Sequence, residues 1–426
     1  MKGASIRARR LRFSLCVILA LLYLLFFGVS AQARGWFDYI GVDYRVYWAS
    51  AQIARTYGFA DVYDLNRQTE FQDRVYRQYA RAAQTKPVEV IEIPYLPIFI
   101  APLLPFGLLD PMTGFVLWSA ANGLFYLAYV WRLMRASRTR FDAFLGIGVF
   151  LSLPFMFNLF FGQIDIILFV ALGEALIALG RDKEATAGAW LAGLLLKPQL
   201  LVLILPGLLI QKKWRALAGF GAVALLLIVA SVVLAGVDGM LAWTRLVLNF
   251  ASPQGVATNF TESMMSWRAL ALNWNSVVSF QIGWGVAALG IGITTLAGLS
   301  LWFYARASEK YLWVWLGTLA ATFAVAWHSH VHTAVLLFAP MILGWQEFRS
   351  LRVLRWWLVL PAAAFLGVVW IYTPLALAFD PAASLVGPAF AHIVVGAILL
   401  VLNLMILYQT WQHLRRSKEQ ARHAVQ

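Results

Sequence analysis

Apolar runs of roughly the 17–25 residues that a helix needs to cross a bilayer recur along almost the whole chain, separated by short polar knots. This pattern predicts an all-α polytopic membrane protein. The first run, Leu11 to Ala31, is followed by the longest polar stretch, Arg34 to Glu92. Met112 to Leu133, Phe144 to Phe160 and Ile166 to Leu179 then read as crossings. So do Ala216 to Ala235, Ser276 to Phe303, Leu312 to Trp327, Thr333 to Trp345, Leu354 to Tyr372 and Pro388 to Tyr408. Two segments break the rule. Pro94 to Leu109 carries Pro97, Pro102 and Pro105, and a proline in a helix interior costs about 3 kcal/mol, so a re-entrant or interfacial segment is expected there. Ala185 to Ile210 starts beside Arg181 and Lys183 and ends at Lys212, Lys213 and Arg215. A single crossing would put one of those clusters on the wrong side, so the segment reads as a hairpin of two short helices with its tip at Lys197-Pro198-Gln199. About 12 crossing or half-crossing helices result.

Composition and charge agree with this reading. Only 13% of the 426 residues are charged and 61% are hydrophobic, against roughly 25% charged in a soluble domain. Mean hydropathy is +0.72. A net charge of +14 would suggest nucleic acid as the partner of a soluble protein. Here the cations sit in small clusters between apolar runs, so they read as topology signals and no nucleic-acid partner is expected. With the amino terminus in the cytoplasm, Arg132 to Arg140, Arg181 with Lys183, Lys212 to Arg215, Arg306 with Lys310, Arg349 to Arg355 and the Arg415 to Arg422 tail all fall inside. The expected division is an anchor span over residues 1–33, an outer region over 34–110, a helical membrane region over 111–410 and a cytoplasmic tail over 411–426, in the inner (plasma) membrane. The basic start and Ala31-Gln32-Ala33 also resemble a cleavable signal, but the run is long enough to span and the charges agree with its retention. The single cysteine, Cys16, allows no intrachain disulfide.

Ionisable residues within or beside apolar spans are costly unless they face a cavity or a partner, which makes them candidates for function. Asp43, in Gly41-Val-Asp-Tyr-Arg-Val-Tyr-Trp, reads either as a helix cap or as a catalytic carboxylate. Lys197, at the hairpin tip, can snorkel to the interface or hold a phosphate. Trp327-His328-Ser329-His330-Val331-His332 holds three of the six histidines. On a helix His328 and His332 would share a face and His330 would point away, with no neighbouring Cys or acid in the sequence. Hydrogen bonding to a phosphate or sugar hydroxyl, or plain interfacial histidines, fits better than a metal, and neither metal nor cofactor is expected. Gly162-Gln163-Ile164-Asp165 falls at an outer turn, where a glycine and an Asp cap account for most of the pattern. The outer loop from Trp243 to Trp274, with Asn275 just beyond it, mixes aromatic residues with Arg245, Asn259, Glu262, Ser263, Arg268 and Asn273, as a sugar-binding loop or an ordinary interfacial loop would.

Taken in order, six features form a series: Asp43 after the first span; Ile93-Pro-Tyr-Leu-Pro before Pro102-Leu-Leu-Pro-Phe; Gly162-Gln163; Gly193-Leu-Leu-Leu-Lys-Pro-Gln199 followed by Lys213-Trp-Arg; Ser263-Met-Met-Ser-Trp-Arg268; and His328-Ser-His330. From Asp43 to Pro340 the chain resembles glycosyltransferase family 87, the bacterial polyprenyl-phosphate-mannose-dependent mannosyltransferases and their relatives of the GT-C fold class. The resemblance implies inverting transfer of mannose or a similar hexose from a polyprenyl-phosphate donor to an envelope glycolipid or glycan, at the periplasmic or extracellular face. It matches Asp43 to the family's acidic base, Lys197 to its basic residue, and His328 and His330 to its histidine-bearing boundary. Gln163, Gln199 and Arg268 join these as donor-phosphate or substrate-binding candidates. Some relatives carry an Asp just after the histidines, where this chain has Thr333.

The residues themselves are compatible with that chemistry. A carboxylate can take the acceptor proton while cations stabilise a departing phosphate. No Rossmann pattern with its glycine fingerprint is present for a nucleotide sugar. Two other readings stay open: a transporter or flippase of lipid-linked saccharides, which a broken hairpin and a buried lysine also fit, and a non-catalytic subunit of an envelope-polymer assembly.

Overall fold

The computed structural model describes residues 2–84, 87–139, 143–251, 261–274, 279–304, 310–372 and 387–423. Arg140, Asn259, Asn275 and Arg306 lie outside them. Among the described residues the regular elements are helical: α1 (Lys2–Arg34), α2 (Val42–Thr56), α3 (Leu65–Tyr79), α4 (Pro111–Ser137), α5 (Ala143–Leu151), α6 (Leu153–Phe161), α7 (Asp165–Leu179), α8 (Glu184–Leu191), α9 (Ile204–Ile210), α10 (Trp214–Ala251), α11 (Trp267–Asn273), α12 (Phe280–Tyr304), α13 (Tyr311–Val325), α14 (Phe338–Leu343), α15 (Trp345–Phe348), α16 (Arg352–Gly367) and α17 (Gly387–His423). Their boundaries follow from local chemistry. Asp64 opens α3 by accepting from the amides of Asn66 at 2.7 Å and Arg67 at 3.3 Å. Asp110 does the same for α4, with Pro111 in the first helical position, where its missing N–H costs nothing. Ser152 caps α6 ahead of Pro154, so the predicted span from Phe144 to Phe160 is two helices with a break between them.

Five segments are long and apolar enough to cross a membrane: Phe13–Arg34, Trp214–Asn249, Gln281–Tyr304, Arg352–Ile371 and Phe390–Gln420. The other apolar segments are shorter. Pro94 to Leu109 contains three 3₁₀ turns, Pro97–Phe99, Ala101–Leu103 and Phe106–Leu108, in keeping with its interior prolines Pro97, Pro102 and Pro105. The hairpin is present as α8, two 3₁₀ turns meeting at Lys197, and α9. Gly188 packs on the backbone of Ala216, and Gly219 on that of Ala185, so the segment ends at the level where it began. The helix predicted to stop near Ala235 does break there, at Gly236, whose φ of 67° only glycine adopts at little cost, and a second helical stretch runs on to Ala251. One expectation changes. The stretch from Thr333 to Trp345 is not one helix but a 3₁₀ segment, Val331–Leu337, followed by the short α14.

The chain ends of these elements fall into two layers. In one, Lys213 pairs with Glu184 at 2.6 Å, Gly180 packs on Tyr311, Thr139 donates to the carbonyl of Ile342, and Trp313 bonds Glu347 and stacks on His413. Arg181, Lys183, Lys212, Arg349 and Arg415 belong to this layer. The opposite layer holds α2, α3, the proline segment, the α6–α7 turn, α11 and the histidine segment. The core between them is densely apolar; α13 is buried along nearly its whole length, from Trp313 to Ala324.

Candidate functional site

Asp43 is the second residue of α2, and it is not the cap of that helix. Gly41 holds the cap position with φ 73° and no side-chain bond. The Gly41 amide instead donates to the carbonyl of Phe160 at 2.7 Å, tying the start of α2 to the end of α6. Arg45, one turn further on, is buried and donates to the carbonyls of Phe37 at 2.8 Å and Glu89 at 2.6 Å, which fixes the helix from its other side. The Asp43 carboxyl is therefore presented inward, beside the side-chain amide of Gln163. Burial raises its pKa above the ordinary carboxylate range, opposed by His332, by the Gln163 bond and by Lys197.

Gln163 reaches Asp43 because Gly162 ends α6 in the left-handed region, φ 74°. A Cβ there would stand 2.6 Å from the Cβ of Tyr44, so only glycine lets the turn approach α2 this closely. The Gln163 carbonyl oxygen accepts from the Tyr47 hydroxyl at 3.1 Å, and that hydroxyl also meets Tyr95 at 3.1 Å. With its oxygen so occupied, the amide turns its N–H toward Asp43.

Asp165, expected as a cap, is a fully buried ion-pair centre. One of its oxygens faces the Lys197 ammonium at 2.6 Å and the other accepts from His332 Nδ1 at 2.6 Å. Lys197 does not snorkel to an interface; it is buried, with the Thr333 hydroxyl 3.4 Å away. The backbone break that places it there follows from Pro198, which ends one 3₁₀ turn and starts the next.

The histidines do not share one α-helix: His328 and His330 precede the 3₁₀ segment Val331–Leu337 and His332 lies within it. From Ala326 to His330 the chain is largely extended, and Met265 donates its amide to the carbonyl of Ser329 at 2.8 Å. The three rings consequently form one row instead of splitting between two faces. His328 and His330 touch through their Nε2 atoms at 3.0 Å, and His330 and His332 stack with centroids 5.2 Å apart. His330 Nδ1 lies 2.6 Å from the Ser263 hydroxyl. Burial lowers the pKa of both His328 and His330, which favours their neutral forms. Arg268 and Gln199 brace the same segment: Arg268 donates to the carbonyl of Trp327 at 2.8 Å and Gln199 to that of His328 at 3.0 Å. Among the described residues no group of three or more His, Cys, Asp and Glu side chains is arranged to hold a metal.

The structure thus gathers Asp43, Gln163, Lys197, Gln199, Arg268, His328 and His330 at one end of the molecule. The outer stretch contributes only in part. Asn273 exchanges hydrogen bonds with Thr261 and closes its own loop, while Arg245 sits on α10. Sequence reasoning read Asp165 as a cap and gave no site role to His332, Tyr47 or Tyr95. The signal for Asp165 was its setting, an acid between Ile164 and Ile166 at the head of an apolar helix, where a charge without a partner is costly.

The family model described as Glycosyltransferase family 87 matches residues 94–329. No curated protein and no solved structure matches the chain.

Proposed function

The chain belongs to glycosyltransferase family 87, and we propose that it transfers a hexosyl group, mannose or a similar sugar, from a polyprenyl-phosphate donor to an envelope glycolipid or glycan. Asp43 is the general base of this reaction. It removes the proton from the acceptor hydroxyl as that oxygen attacks the anomeric carbon. The bond from that carbon to the phosphate oxygen breaks on the opposite side, and polyprenyl phosphate leaves with the negative charge. Inversion follows from the single displacement. Lys197 and Arg268 supply positive charge for the phosphate, and neutral His328 and His330 supply ring nitrogens that bind phosphate or sugar oxygens. The transfer takes place at the outer, periplasmic face of the inner membrane.

One observation carries this reading. Asp43 is a half-buried carboxyl beside the neutral amide of Gln163, while one cation of the site, Lys197, already has Asp165 as its partner. A carboxylate held in this way stays basic enough to take a proton, and two carboxyls in contrasting settings are how one site separates its roles.

The purified protein, supplied with polyprenyl-phosphate-linked hexoses and candidate acceptors, is expected to transfer sugar. Asp43→Asn is expected to abolish transfer while the protein stays monodisperse and folded. Full activity in that variant would overturn the role of Asp43. Movement of the lipid-linked sugar across vesicles without chemical change would establish a flippase instead.

A further inference from the structure

Asp165 is the most buried charged group at the site, and the transfer chemistry does not use it. Its exposure is 0%, so substrate does not reach it. Its carboxylate has two partners that come from distant parts of the chain, Lys197 at the hairpin tip and His332 in the histidine segment, each at 2.6 Å. His332 is itself held in place, since its backbone carbonyl accepts from the Asn158 side chain at 2.9 Å. With one oxygen pinned by His332, the carboxylate cannot rotate, and the other oxygen fixes where the Lys197 ammonium lies. Ile164 and Ile166 flank Asp165 in the chain and Leu194 and Leu196 precede Lys197, and all four are buried.

We propose that Asp165 is a positioning residue, acting through Lys197: it holds the ammonium at one point in the site, where the phosphate of the donor lipid then binds. This rests on the proposed glycosyl transfer from a lipid phosphate. Asp165 itself touches neither donor nor acceptor. Its carboxylate is instead a fixed counter-charge whose removal leaves Lys197 present but misplaced.

Binding of a polyprenyl monophosphate, compared with the uncharged polyprenol of the same length, tests this without turnover. The full-length protein in detergent is titrated with each lipid, in wild type, Lys197→Gln, Asp165→Asn and the double variant. Wild type is expected to prefer the phosphate. Each single variant should lose phosphate affinity by roughly 10- to 100-fold, the scale of one lost hydrogen bond to a charged group. The double variant should bind no more weakly than Lys197→Gln alone, because Asp165 has nothing left to act through. A merely structural role would make the two losses add. Should Asp165→Asn fail to fold, the double variant, neutral on both sides, still gives the comparison with Lys197→Gln. Additive losses, wild-type affinity in Asp165→Asn, no preference for phosphate in wild type, or a double variant that fails to fold where Lys197→Gln folds would each overturn the proposal. Wild type that binds the phosphate but transfers no sugar would overturn the glycosyl-transfer reading and leave the positioning role standing.

Discussion

Asp43 and Asp165 are the same side chain in different settings, and the difference lies in what the neighbouring elements bring to each. Asp165 has a cation and a histidine on its two oxygens. Asp43 has an amide. A neutral donor stabilises a carboxylate less than a full charge does, so burial prevails at Asp43 and its pKa is raised. As a base it must be ionised. Transfer should therefore fall as pH drops through that raised value, and it should persist toward alkaline pH as far as Asp43 governs it. Gln163→Leu removes a bond that lowers the Asp43 pKa, so the acid limb of kcat/KM should move to higher pH. Tyr47→Phe should move it the same way by less, since the Gln163 amide is then free to flip. A pH–rate profile of the three proteins checks this, and an acid limb that stays in place in Gln163→Leu would show that Asp43 does not set it.

At the scale of elements, the site depends on how closely the α6–α7 turn approaches α2. Gly162→Ala combines a left-handed backbone with a Cβ 2.6 Å from Tyr44. Backbone strain of this kind costs about 1–3 kcal/mol, and relief requires α2 to move with Asp43 on it. The variant should unfold at lower temperature and lose most of its transfer activity; unchanged values in both assays would rule out this account of the turn. The helical membrane class, the proline-broken segment and the hairpin tip at Lys197 were legible in the sequence, because hydropathy and proline act locally. The pairing of Asp165 with Lys197 and His332 was not, because those residues are 32 and 167 positions apart in the chain (197 − 165 and 332 − 165). The histidine row was misjudged for a related reason. A helical period applies only where the backbone is helical, and here the carbonyl of Ser329 bonds Met265 from a separate segment. Asp43 and Asp165 looked like caps because Asp before an apolar run usually is one.

The molecule as a whole has a basic end and an end that holds the proposed catalytic residues, and this asymmetry predicts its orientation in the membrane. Lys183, Lys212 and Arg415 stand in the layer held by the Lys213–Glu184 pair and the Trp313–His413 stack. Asp43 and the histidines stand in the other. Short basic loops are retained on the cytoplasmic side, so the catalytic end should face outward, with α3 beside it. Exposed positions exist for testing this at both ends: Arg74 on α3, with its side chain 58% exposed, and Lys183 and Lys418 in the basic layer. In a Cys16→Ser background, Arg74→Cys should react with a membrane-impermeant maleimide in intact cells. Lys183→Cys and Lys418→Cys should react only after the inner membrane is permeabilised. The reverse pattern would place the carboxylates in the cytoplasm, where nucleotide-linked sugars are available, and would remove the reason for assigning the donor to a polyprenyl phosphate presented from the outer leaflet. Labelling of Arg74→Cys and Lys418→Cys from the same side would break the two-ended arrangement itself, since α3 and the carboxy-terminal half of α17 would then have to share one face of the membrane.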